Sequence, residues 1–136
     1  MILFQRRNAE AKVAANDFAH IDELVRRWSP AWAVPAGETE PVKESFRHPG
    51  SLTAALGYYR AIRLSPPPAL RKRISVPSAV FAPIGDGILG RADYERARRF
   101  YTAPHEIVGM PGGHFLHQEH PRRFADELLR VLRSAP

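Results

Sequence analysis

The chain of 136 residues contains no cysteine. That excludes disulfides and thiolate metal sites, and leaves histidine and carboxylates as the strong metal ligands it could offer. Long apolar runs are missing as well. Ile2, Leu3 and Phe4 meet Arg6 and Arg7 at once, too short a stretch for the apolar region of a signal peptide or for a membrane span. A cytoplasmic protein without a membrane partner is the expectation. No internal repeat or low-complexity tract is present. Interleaving of aromatic with basic residues is also absent, which matters because the formal net charge is +6 and clustered Lys and Arg can bind phosphates by displacing counterions. The basic residues occur in short groups, such as Arg26 with Arg27 and Arg98 with Arg99, and the acids Glu23, Glu95 and Asp126 lie close by. This is the pattern of solvated helix faces, so no nucleic-acid partner is expected.

What is present is an ordinary globular composition, 44% hydrophobic and 25% charged, in a chain long enough for a modest core. Over residues 8–28 the apolar positions Val13, Ala14, Phe18, Ile21, Leu24, Val25 and Trp28 recur at spacings of three and four, which predicts one helix with a single packing stripe. Pro30 ends it, and the stretch to Pro41 is rich in proline and glycine. A second helix is expected over about residues 51–64, with Ser51 or Thr53 as N-cap. The run Ser65-Pro66-Pro67-Pro68 cannot continue a helix and marks a boundary.

Beyond it the period changes. An apolar run at 76–82, a helical stretch near 92–101, a short apolar segment at 106–109 and an amphipathic stretch at 121–133 read as strand, helix, strand, helix, an α/β unit with parallel strands. Two parallel strands alone are marginal, so the sheet calls for completion.

The chemistry collects at the ends of those strands. The first runs into Pro83-Ile84-Gly85-Asp86 and the second into Pro111-Gly112-Gly113-His114. Both side chains are thereby placed past the carboxyl ends of neighbouring strands, where open α/β sheets hold their functional groups. Glycines at 112 and 113 permit positive φ and a sharp turn. An aspartate that orients a histidine acting as general base is the second half of a nucleophilic triad. His117 and His120 extend a string of histidines at every third position with Glu119 beside them. A helical zinc pair prefers i and i+4, so no metal is expected. No cofactor is expected either.

The chain resembles the cap and C-terminal half of an α/β-hydrolase, in the branch of epoxide hydrolases, haloalkane and haloacetate dehalogenases and related esterases. VPSAVFAPIGDGIL, DYERARRF, GMPGGHFLHQEHP and FADELLRVL follow that family's order of acid strand, helix, Gly-His loop and final helix. FRHPGSLTAALGYYRA and FAHIDELVRRWSP resemble its cap segments. The resemblance implies a helical cap over residues 1–70 and, over 71–136, the last two parallel strands of the core with their helices. It also implies His114 and Asp86 as catalytic base and acid, with Tyr59 and Trp28 facing a small apolar ester, epoxide or halogenated substrate. Two departures are visible. Proline stands at 83 ahead of the acid, and the segment MILFQ lacks the second cap tyrosine of epoxide hydrolases, which favours ester or carbon–halogen hydrolysis over epoxide opening.

Triad order in this fold is nucleophile, acid, histidine, and no G-x-S-x-G occurs in the 136 residues. The expectation is therefore a truncated hydrolase, inactive alone, whose nucleophile comes from elsewhere. The alternative is a non-catalytic protein acting through partner binding or as a homo-oligomer.

Overall fold

A computed structural model describes Phe4, residues 8–62 and residues 68–134. Three expectations reach beyond these residues: the segment ahead of the first helix includes residues 1–3 and 5–7, the second helix residues 63 and 64, and the proline boundary 65–67, all outside the described set. By contacts the chain divides into two compact units, Met1–Val25 with Val34–Pro66, and Arg26–Ala33 with Pro67–Pro136. The end of the first helix thus belongs with the C-terminal half of the chain.

In the first unit, helix α1 (Ala9–Trp28) starts and stops where periodicity placed it. The single stripe is broken, however: Asn16, Asp17 and Phe18 all have positive φ, and Ala14 is exposed. Asn and Asp tolerate that region through local hydrogen bonding, whereas Phe does so only when its surroundings compel it. Here Phe18 is buried, packs on Phe46 at 6.2 Å between ring centres, and lies under the Arg47 guanidinium that also binds Asp17. Tertiary contact overrides helical period. Helix α2 (Glu40–Arg47) begins inside the stretch rich in proline and glycine, with Pro41 in its first turn. Proline in the first turn removes an amide that has no helical acceptor anyway.

Helix α3 (Ser51–Ala61) is entered through Gly50 at φ 79, not through a Ser51 or Thr53 cap. It ends at Ala61, with Ile62 in extended backbone, and residues 63 and 64 of the expected helix lie outside the described set. The first core joins Phe4, Ala9, Val13, Phe18, Leu52 and Leu56. Around it, Asp22 accepts from Lys43 and Thr39, and Arg60 grips both oxygens of Glu10 at 2.7 and 2.8 Å.

The second unit holds strand β1 (Ser78–Pro83), helix α4 (Arg91–Ala97) with a 3₁₀ turn, strand β2 (His105–Met110), and helices α5 (Leu116–Glu119) and α6 (Pro121–Ser134). The strands pair in parallel, Ser78 opposite His105 through to Pro83 opposite Met110. The Ser78 amide donates to the Pro104 carbonyl just ahead of β2 and the Ile84 amide to that of Met110, so alternation turns the nitrogen of Pro83 away from β2. Proline therefore costs no bond to β2. Val108, fully buried Met110 and Leu116 form the second core, with Phe81, Phe124 and Val131 packed on it. Full burial of a side chain such as Met110 contributes about 1.5–3 kcal/mol. Arg130 ties α6 to the sheet through Glu106 and to its own helix through Glu127. Among the described residues no helix is long and apolar enough to cross a membrane.

The Arg60 guanidinium holds the Glu10 carboxyl at about 2, below its ordinary 4.5. A lowered pKa gives stability that is complete above the ordinary value and lost as pH falls through the folded one. Glu10→Gln should accordingly melt below the parent at pH 7. Melting curves taken from pH 4.5 down to pH 2 should show that gap closing.

Candidate active site

Asp86 and His114 stand just beyond the ends of β1 and β2, and the ladder continues past the strands to align them. Ile84 N–H donates to Met110 O and Gly85 N–H to Gly112 O, both at 2.9 Å. The Asp86 carboxylate meets His114 Nδ1 at 3.1 Å through Oδ2 and 3.3 Å through Oδ1. Against a carboxylate acceptor Nδ1 is the donor, the tautomer that in a neutral imidazole leaves the Nε2 lone pair free. Asp86 also receives the Ile88 amide on Oδ1 at 2.7 Å, closing its own turn. Its side chain is 1% exposed and that of His114 35%, so the acid is sealed while the imidazole is partly open. Tyr94 of α4 feels this acid. Burial, and then the negative charges of Asp86 and Asp93, push its phenol above the ordinary 10.

The two loops share one foundation at the end of α1. The Trp28 carbonyl accepts the Gly87 amide at 3.0 Å and the His114 amide at 3.1 Å, so a single oxygen joins the acid loop to the histidine loop. Next to it, fully buried Ser29 accepts the Phe115 amide on Oγ at 3.2 Å and donates to Glu119 Oε1 at 2.7 Å. That same carboxylate oxygen accepts the Gly113 amide at 2.8 Å. Three consecutive amides around the histidine are thereby satisfied by groups outside the loop.

Such close approach dictates glycine. A Cβ at Gly87 would sit 2.2 Å from the Arg27 carbonyl oxygen, and one at Gly113 2.5 Å from Ser29 Cα. Of the glycine pair, Gly112 has positive φ at 106°, while Gly113 is required for space rather than for turn conformation.

Trp28 meets the His114 ring edge-on at 5.1 Å, and Phe115 meets it at 5.5 Å. Trp32 lies 6.2 Å from Phe115. Tyr59 belongs to the first unit, half-buried in its core with its ring 4.8 Å from Phe4. His117 is exposed and turned edge-on to Phe124. Among the described residues no three His, Asp or Glu side chains converge to hold a metal ion. Ser29 and Glu119 were missed as partners because they lie 90 positions apart and no spacing rule joins them. The legible sign was a glycine next to His114, which announces that something comes close.

Among solved structures, a protein of Klebsiella pneumoniae subsp. pneumoniae assigned as an epoxide hydrolase superposes with a TM-score of 0.80 at 20% identity, over 97% of this chain and 48% of its own. A point mutant of a Bacillus megaterium epoxide hydrolase matches with 0.69 at 16% identity, over 96% and 49%. The chain has the fold of part of an α/β-hydrolase. It spans about half the length of the structures it matches. No family model and no curated protein matches it. The chain's helices and two parallel strands match that part of the α/β-hydrolase fold.

The packing around Gly113 makes a signed prediction. Gly113→Ala should destabilise by about 1–3 kcal/mol, the usual cost of overfilling a packed site, because backbone rather than a flexible side-chain end stands in the way. Gly57→Ala, in mid-helix with nothing within 4 Å of the new methyl, should instead raise the melting temperature. Thermal melts of both variants check the opposite signs.

Proposed function

We propose that this chain supplies the acid and general-base half of an α/β-hydrolase-type enzyme that cleaves an ester, epoxide or carbon–halogen bond in a small apolar molecule. The observation that carries the reading is the hydrogen bond between Asp86 and His114 Nδ1 at the carboxyl ends of adjacent parallel strands. Asp86 holds the tautomer and stabilises the imidazolium. His114 Nε2 takes the proton from the attacking hydroxyl or water as the new bond to carbon forms; it returns that proton to the departing oxygen of an ester or epoxide, and to solvent when a halide departs as the anion. The nucleophile comes from outside these residues, since no nucleophile elbow occurs among them, and the chain alone does not turn over. The first unit serves as cap, with Tyr59 as its substrate-facing aromatic, and Trp28 of the second unit, edge-on to His114, is the other. The epoxide hydrolases that share the fold support this substrate class.

A second reading is favoured by the state of the sheet. Among the described residues β1 has a strand partner on one side only. Apolar Val76, Ile84 and Leu132 are more than half exposed, and a groove of about 340 Å³ runs between β1 and α6, lined by Ala79, Phe81, Leu128, Val131 and Leu132. An open apolar edge pairs readily with another chain, which fits a non-catalytic protein that acts by association.

Mixing the chain with a nucleophile-bearing N-terminal half of an α/β-hydrolase should yield p-nitrophenyl ester hydrolysis that neither part shows alone. His114→Ala should lower it by about 10²–10⁴-fold, the usual contribution of a positioned base. Hydrolysis indifferent to His114→Ala would overturn the reading. Light scattering of the isolated chain separates the alternative, which requires mass to rise with concentration.

A further inference from the structure

We propose that Ser29 and Glu119 are positioning residues that hold the His114 loop in register with Asp86. The proposal rests on His114 being the base described above, and it concerns what keeps that base aimed. The imidazole has one hydrogen-bonding partner among the described residues, the Asp86 carboxylate. Aromatic edges from Trp28 and Phe115 limit the ring's movement but do not fix its rotation. Its direction is therefore set by the backbone that carries it. That backbone is neither helix nor strand at 111–115, and the ladder's last bond, from the Gly85 amide to the Gly112 carbonyl, stops short of His114.

The restraint comes instead from a relay of three bonds. Phe115 N–H donates to Ser29 Oγ, Ser29 O–H donates to Glu119 Oε1, and Gly113 N–H donates to the same oxygen. The relay brackets His114, whose own amide goes to the Trp28 carbonyl. Ser29 is fully buried, and water cannot readily replace its hydroxyl. Deleting it strands the Phe115 amide and takes one donor from Glu119. Deleting the carboxylate strands both the Gly113 amide and the Ser29 hydroxyl. Buried amides left without acceptors seek new ones by moving the chain. A shift on the order of 1 Å at His114 would carry Nδ1 out of reach of Asp86, given how steeply hydrogen bonds weaken with distance and angle.

The role asks for an oxygen acceptor at one place, not for charge. A glutamine carbonyl at 119 can take the same two donors, whereas aspartate, one carbon shorter, cannot reach both.

The test is the His114 ring proton. A proton on Nδ1 bonded to a sealed carboxylate exchanges slowly enough to give a low-field NMR resonance in the full-length chain, assigned by its absence in His114→Ala. Spectra are taken for the parent, Ser29→Ala, Glu119→Ala, Glu119→Asp and Glu119→Gln, each well below its own melting midpoint. The resonance should persist in Glu119→Gln and vanish or broaden in the other three. If Glu119→Ala fails to fold, Glu119→Asp carries the comparison. A resonance unchanged in Ser29→Ala and Glu119→Asp overturns the proposal while leaving the acid and histidine pairing intact. A parent spectrum with no such resonance overturns that pairing, and the positioning role falls with it.

Discussion

One backbone carbonyl, that of Trp28, holds the site together. It is the last residue of a helix, where carbonyls lack intrahelical donors, and it spends its free acceptor capacity on two amides from loops that are distant in sequence, Gly87 and His114. Because both loops are anchored to one atom, the carboxylate and the imidazole they carry cannot drift independently. The approach is so close that both loops need a glycine against the helix end, Gly87 at Arg27 and Gly113 at Ser29. The local chain geometry, the choice of small residues and the pairing of the two ionisable groups thus have a common cause.

This arrangement also explains why the short stretch Arg26–Ala33 groups with the C-terminal half rather than with the helices around it in sequence. Its two tryptophans face the histidine loop, its serine fills the space left by Gly113, and its carbonyl receives the loop amides. The parallel ladder brings Asp86 and His114 to one edge of the sheet. The helix end then sets their separation. Neither suffices alone, since the last ladder bond reaches Gly112 and not the two side chains' own residues.

Much of this was legible in the residues. The change from helical period to α/β alternation, the parallel pairing, and the convergence of Asp86 with His114 all follow from local patterns: apolar runs, a glycine pair, and the position of polar residues just after a strand. What escaped depends on contacts between distant residues. The left-handed turn through Asn16, Asp17 and Phe18 is held by Phe46 and Arg47, which no window along α1 contains. Helix α2 was hidden by a proline that is harmless in its first turn. The Gly50 entry into α3 replaced the expected hydroxyl cap because the turn before the helix needs positive φ. Pro83, a departure from the family's pattern, leaves the pairing with β2 intact because its nitrogen faces away from that strand. The link between Ser29 and Glu119 has no local signature at all.

The most direct measurement is amide hydrogen exchange at Gly87 and His114 in the intact chain. With both amides bonded to the Trp28 carbonyl, each should be strongly protected, and the two should open together, with matching protection across a denaturant series. A Gly87 amide exchanging at the rate of an unprotected peptide while His114 stays protected would contradict the account, because the two loops would then have no shared anchor.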